Sequence, residues 1–336
     1  MIAPDAGLPL ISKLIQLYVR SGARGSTRST FLLARHLRSL QAVPITINGR
    51  RLFVDLRDGL SHALLAGSPW PTVPWEKDEQ LIMRRLVRPG DVVFDVGAHI
   101  GVHMVLLSEL ATPRGCVHAF EPNPAKIPTL RRTAGVCHNT TVHAFGLSHS
   151  ERQATLFVPV DESMASLRDW TSGRVGAVRE VPCNLQRIDS LVASGVLPRP
   201  DFIKCDVEGA ELEVFLGAAR TLDHPRAPII LYEACLPAAA AFGSTVWDAT
   251  DWLKALPHAE YQVYLVQPGA RLVPLERSNE GCDYSNLVAV PRARSREGQR
   301  AEPTRTLEEG AAPSSGLLAS SVRPVSLGEL PCQLLI

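Results

Sequence analysis

Three short segments carry the residues best able to do chemistry: residues 91–101 (DVVFDVGAHIG), 118–124 (HAFEPNP) and 201–214 (DFIKCDVEGAELEV). The first reads as a buried strand, a glycine-bearing turn and the start of a helix. Gly97 and Gly101 lack a Cβ, so backbone and ligand can come close there. Their G-x-x-x-G spacing differs from the G-x-G-x-x-G of dinucleotide-binding folds. Asp95 closes the strand, where a carboxylate suits a ligand carrying positive charge better than a pyrophosphate. In the second segment Glu121 follows Gly101 by twenty residues and closes another strand. An acid at that place can accept hydrogen bonds from both ribose hydroxyls. Together these features point to a nucleoside with a cationic group and no phosphate. S-adenosylmethionine, with an ammonium and a sulfonium, meets that description.

The third segment puts Lys204, Asp206 and Glu208 where a strand turns into a helix. Either carboxylate could be a general base for a hydroxyl acceptor. The plainer reading is that Asp206 caps the helix and Glu208 complements its dipole. Glu233 and His103 are reserve bases. His99 and His103, four residues apart, could ligate a metal from one helix face; local packing is the heavier reading, and no metal is required. No G-x-S-x-G elbow, P-loop or H-E-x-x-H occurs, which argues against the usual serine hydrolases, NTPases and zincins.

These residues need a scaffold. Apolar runs at DVVFDV, CVHAFE, TVHAFG, DFIKCD, PIILYEA and YQVYLV alternate with helical stretches over 100–111, 124–136, 209–221 and 245–256. Such alternation implies an α/β fold, a doubly wound and mostly parallel sheet with helices on both faces. NLVAVPR at 286–292 can add a last strand, and an insertion over 147–199 carries extra strands and the loop DESMASL. Ahead of the sheet lie one or two helices over 1–42, a hairpin over 43–57 turning at Asn48-Gly49, and a helix over 77–86. Ile11, Leu14, Ile15 and Tyr18 share a helical face, which reads as an amphipathic helix packed on the body or on a partner. Trp70 and Trp75 either cover the cleft or simply pack.

Composition bounds the function. A formal net charge of +1 over 336 residues is not the footprint of a nucleic-acid binder. Seven widely spaced cysteines without C-x-x-C read as free thiols in a reducing, cytoplasmic setting. No apolar run is long enough to span a bilayer, so no stable membrane insertion is expected. From 293 onward the chain is rich in Arg, Glu, Ser, Pro and Gly, and disorder is expected.

In this order DVGAHIG, AFEPNP and IKCDVEGAELEV resemble the FkbM family of S-adenosylmethionine-dependent methyltransferases, with WEKDEQ, SMASL and SNLVAVP as supporting context. The resemblance covers roughly residues 43–292. It implies a class I, Rossmann-like methyltransferase that transfers methyl to a hydroxyl of a small molecule or sugar. By motif it implies that Asp95, Gly97, His99, Gly101, Glu121 and Asp206 hold the donor, and that Asp206 and Glu208 form the catalytic acidic motif. His99 stands where the family typically has Asn. The expected division is an N-terminal extension over 1–75, the methyltransferase domain over 76–292 and a tail over 293–336; an oligomer could form through the N-terminal segment. Two rivals stand beside this reading. An NAD(P)-dependent oxidoreductase shares the strand, turn and acid, and a silent nucleotide-binding module would keep the fold without turnover.

Overall fold

The computed structural model describes residues 10–47, 49–57, 59–65, 74–172, 176–276 and 284–294. Of the expected disordered tail, residues 293 and 294 are described, with Arg294 paired to Asp201 at 2.6 Å; the rest of it and Trp70 lie outside the described residues, as does the side chain of Trp75.

Helices α1 (Leu10–Arg20) and α2 (Ser26–Ala34) lead into a hairpin of β1 (Val43–Ile47) and β2 (Arg50–Val54), followed by α3 (Gly59–Leu65) and α4 (Pro74–Leu86). The alternating part begins with β3 (Val92–Val96), α5 (Val102–Ala111), β4 (Cys116–Phe120), α6 (Ile127–Ala134) and β5 (Thr140–His143). The insertion contributes β6 (Gly146–Leu147), β7 (Arg152–Val158) and β8 (Arg179–Gln186), and α7 (Ile188–Ala193) returns the chain to β9 (Phe202–Cys205). Then come α8 (Glu211–Leu216), α9 (Ala219–Leu222), β10 (Ile229–Cys235), α10 (Leu236–Ala241), α11 (Asp248–Lys254), β11 (Gln262–Gln267), β12 (Arg271–Pro274) and β13 (Tyr284–Val290).

The main sheet has the order β12-β11-β13-β10-β9-β3-β4-β5. Its pairs from β10 to β5 are all parallel, and β13 runs antiparallel between β10 and β11. This is the doubly wound α/β sheet that the alternating runs imply. The helices are shorter than the sequence suggests: α6 covers Ile127–Ala134, and the 209–221 stretch splits into α8 and α9. Strand β12 (Arg271–Pro274) is not among the apolar runs of the sequence and pairs antiparallel with β11. The chain winds outward through β4 and β5, then crosses back to β9 on the other side of β3. The order therefore reverses at β3/β9, and ligands of open α/β sheets bind outside the carboxyl ends at that place.

Both faces are buried, so each central strand sends alternate side chains into two cores. Phe94, Val96, Ile203, Cys205 and Tyr232 pack on one face. Val93, Phe202 and Leu231 pack on the other, with Ile82 and Met83 of α4 and Leu106 and Leu107 of α5. The N-terminal extension is part of the body. Leu40, Val43, Leu52, Val54 and Leu65 share a buried cluster with Ile100 and Val105 of the α5 region. Residues β6, β8 and β7 form a separate three-stranded sheet beside the main one.

The two glycines of the first motif serve different contacts. At Gly97 (φ +85) a Cβ would stand 1.8 Å from the Asp206 carbonyl oxygen, so the turn closes against the acidic loop only without a side chain. At Gly101 (φ +89) a Cβ would meet Met104, Leu130 and Thr133 at 2.7–3.1 Å, which makes this glycine a seam between α5 and α6. Gly101→Ala combines that crowding with a disfavoured backbone. We expect it to cost about 1–3 kcal/mol of stability and to leave ligand affinity in the folded fraction unchanged. Chemical denaturation beside calorimetry checks this; a loss of affinity without a loss of stability would place Gly101 at the ligand instead.

Candidate active site

At the carboxyl ends of β3, β4, β9 and β10 lies a cavity of about 280 Å³. It is lined by Asp95, Gly97, His99, Glu121, Asp206 and Glu208, and also by His103, Lys204 and Glu233. Of the residues named from sequence, only Gly101 does not line it.

Period-two alternation explains the floor. Asp95, Lys204 and Glu233 follow Phe94, Ile203 and Tyr232, so they point to the opposite face, toward α4 and α5. Asp95 lies directly beside Lys204 in the ladder. Lys204 Nζ sits 2.9 Å from Asp206 Oδ2, and a Glu233 carboxylate oxygen lies within 4.8 Å of Asp206. Lys204 is almost fully buried. Burial alone would make it lose its proton, but the carboxylates of Asp206, Asp95 and Glu79 outweigh that and hold its proton affinity above the ordinary range. Asp206 moves the other way: burial opposes ionisation, yet Lys204 keeps its carboxyl below the usual value. From the helix side, His103 Nε2 lies 3.5 Å from Glu79 Oε2. Burial and the Lys204 ammonium push His103 down to about 3, so the ring is neutral and weakly basic.

Asp95 is fully buried, and neither of its carboxylate oxygens has a hydrogen-bond partner. Burial raises it to about 6, against the pull of Lys204. Such an oxygen pair normally finds partners, so its opening into the cavity fits a ligand that brings donors or positive charge.

Glu121 is held from both sides. Oε2 accepts from the His99 backbone N–H at 2.8 Å and Oε1 from that of Asn123 at 2.7 Å. Burial raises this carboxyl to about 7, partly offset by those two hydrogen bonds. Each oxygen keeps a further lone pair for a ligand. His99 adopts φ +51, a left-handed conformation in which Asn and His are both enriched, so His at the Asn position keeps the turn. It precedes α5 and is not on a helix, which removes the helical metal-pair reading of His99 and His103.

The acidic loop departs from the capping expectation. α8 begins at Glu211, after Glu208 (φ +54) and Gly209. The Glu211 carboxylate, not Asp206, accepts the loop N–H groups, from Val207 at 3.1 Å and Gly209 at 3.3 Å. Glu208 is left facing the cavity on a strained backbone, a feature that clusters at functional sites. Burial, Asp206 and Glu211 raise its carboxyl well above the usual range. The loop is pinned by Ser166 of SMASL, whose hydroxyl donates to the Glu208 carbonyl at 2.7 Å. Carboxylate oxygens of Asp206, Glu208 and Glu233 lie within 4.8 Å of one another and could together hold a cation; Lys204 already brings one to Asp206.

The flanking motifs now have positions. In WEKDEQ, Glu79 faces Lys204, and Asp78 accepts from the Gly269 and Ala270 N–H groups at 3.0 Å. In SNLVAVP, Asn286 lies opposite Glu233 in the ladder. Over the cavity, Glu162 binds Lys126 Nζ at 2.7 Å and Arg179 at 2.5 Å, which ties the insertion to the loop after Glu121. Lys204 is the central residue whose role the sequence leaves open; a lysine inside an apolar strand is its signal.

Residues 95–263 match the model of the methyltransferase FkbM domain, half of the chain. Over 150 residues the chain is 31% identical to the hexuronic acid methyltransferase AglP of Haloferax volcanii, covering 44% of this chain and 59% of that protein. Over 48 residues it is 56% identical to the 31-O-demethyl-FK506 methyltransferase FkbM of Streptomyces tacrolimicus, covering 14% of this chain and 18% of that one. The chain thus spans about three fifths of the first relative's length and less of the second. A solved S-adenosylmethionine-dependent O-methyltransferase from Thermotoga maritima superimposes with a TM-score of 0.35 at 13% identity, over 74% of this chain and 77% of that one. That likeness adds nothing to the fold read from the sheet itself.

Proposed function

We propose, for a chain that belongs to the FkbM methyltransferase domain family, that it is an S-adenosylmethionine-dependent O-methyltransferase acting on a hydroxyl of a small molecule or sugar. The observation that carries this reading is the buried, unpartnered Asp95 carboxylate opening into the cavity beneath the Gly97 turn. With the Asp206 carboxylate, which Lys204 keeps ionised, it makes a lining that suits a cationic donor better than a pyrophosphate, which disfavours the NAD(P) reading.

The bound donor supplies an activated methyl group on a sulfonium, so positioning is the main demand on the protein. Asp95 and Glu121 are the residues we assign to hold it, with the Gly97–His99 backbone alongside. Glu208 is the base that takes the acceptor's hydroxyl proton. Its raised proton affinity makes its carboxylate the better proton acceptor of the pair, whereas Asp206 is held ionised by Lys204 and accepts a proton poorly. Asp206 and Lys204 fix the loop that carries Glu208.

Two measurements test this. Incubation with tritiated methyl donor and a panel of neutral sugars, uronic acids, catechols and primary amines should label hydroxylated acceptors and give methyl ethers by NMR. Transfer to amine nitrogen alone would contradict the assignment. Affinity should also depend on pH. Asp95 must be ionised to attract the donor's cation and Glu121 to accept from both ribose hydroxyls, and protons compete at about 6 and about 7. Affinity for the donor should therefore rise as pH increases through that range and level off above it, by roughly tenfold overall. A flat profile would mean that neither carboxylate touches the donor.

A further inference from the structure

The N-terminal helices present an apolar face that nothing among the described residues covers. Ile15 and Val19 of α1 are buried against the body, while Leu14 (56% exposed), Leu17 (66%) and Tyr18 point away from it. On a helix those three occupy one arc beside Ile15 and Val19, so the face expected to pack on the body is buried only along its Ile15–Val19 edge. The Ser29 hydroxyl of α2 lies 3.3 Å from the Tyr18 hydroxyl, which brings α2 beside this arc. Leu32 and Leu33, one turn beyond Ser29, are about half exposed. Isolated exposed leucines are ordinary, but several gathered on neighbouring helices mark an interaction surface.

Charge identifies the partner. Residues 10–42 contain six basic residues, Lys13, Arg20, Arg24, Arg28, Arg35 and Arg38, and no acidic one. All six are exposed. The whole chain carries only +1, so the rest has an acidic excess and the positive charge is concentrated beside the leucines. Exposed leucines and tyrosine among basic residues are the pattern of a helix lying in a bilayer interface, with apolar side chains among the acyl chains and cations at anionic headgroups. RNA would leave the leucines unmatched. A symmetric dimer through this face would set two basic patches against each other. No helix among the described residues is long and apolar enough to cross a membrane.

We propose that α1 and α2 dock the protein peripherally on an anionic lipid surface. The face is close to the chemistry: α1 packs on α3, whose Leu60 lines the cavity. The inference does not depend on which reaction the cavity performs.

The test is sedimentation of the full chain with vesicles of phosphatidylcholine alone and of phosphatidylcholine mixed with phosphatidylglycerol. Binding to the mixed vesicles is expected, with little to the neutral ones and loss on raising salt. The double variant L14E/L17E changes only exposed positions, so its melting temperature should hold; its partitioning should fall tenfold or more. R28E/R35E should fall comparably. Absence of binding to anionic vesicles would overturn the proposal. So would unchanged binding by L14E/L17E, since that leaves only a charge effect. A dimer abolished by L14E/L17E, without vesicle binding, would assign the face to a second copy and overturn it as well.

Discussion

Lys204→Met should destabilise the protein by about 3–5 kcal/mol, the largest single-residue effect we expect on the fold. Methionine keeps most of the aliphatic stem in place, so packing changes little. What disappears is the cation that Asp206 touches at 2.9 Å and that faces Asp95 in the ladder. Removing one partner of a buried ion pair leaves the other charge uncompensated, which costs far more than the net worth of the pair. Adding Asp206→Asn to Lys204→Met should recover part of the loss, because residues in one network are non-additive. Denaturant unfolding of the two variants beside wild type measures both. A Lys204→Met protein as stable as wild type would mean that these carboxylates are neutral in the fold, and that Lys204 is not what holds the acidic loop.

Glu208→Gln should lower single-turnover methyl transfer by about 10²-fold or more while donor affinity is retained, as expected when a general base is removed. The amide fits the same space, and the backbone that places it is held by Ser166 and Glu211, so the fold should be undisturbed. Asp206→Asn should behave differently. It loses the Lys204 ion pair, so stability falls, and transfer falls only as far as the loop is displaced. Full transfer by Glu208→Gln would remove the base from this loop. Glu233 would then be the next residue to test, since His103 is held neutral with little proton affinity.

Much of the cleft was legible because the motifs are local. Asp95, Gly97, His99 and Glu121 sit at strand ends and turns, where residue type and spacing fix position, and all reach one cavity. Less legible were the consequences of strand pairing. Lys204 reads as an interruption of an apolar run until β9 is set beside β3, when it becomes the counter-ion of Asp95 and Asp206. Glu79 lies in a segment whose chemistry is invisible until α4 packs on the sheet. Gly101 looks like Gly97 in a string of letters, yet one closes against the acidic loop and the other against α6. The helix cap differs from the sequence expectation for a related reason. A positive φ at both Glu208 and Gly209 delays the helix to Glu211, and Glu208 is a residue for which that conformation is uncommon.

Glu121 shows how a correct position can carry an incomplete role. Both of its oxygens already accept backbone N–H groups, from His99 and Asn123. Glu121→Ala would therefore weaken ligand binding and also strand two donors, at about 1–3 kcal/mol each. Its effect on affinity is interpretable only beside its effect on stability.

The central claim is that this cavity holds an adenosyl ligand through Asp95 and Glu121. Isothermal calorimetry with S-adenosylmethionine and S-adenosylhomocysteine, on wild type and on Asp95→Asn, tests it most directly. Both ligands should bind wild type in competition, and Asp95→Asn should weaken both, since both carry the ammonium, with the fold intact by circular dichroism. Folded wild-type protein that binds neither ligand, or an Asp95→Asn variant that binds both as tightly as wild type, would contradict the account.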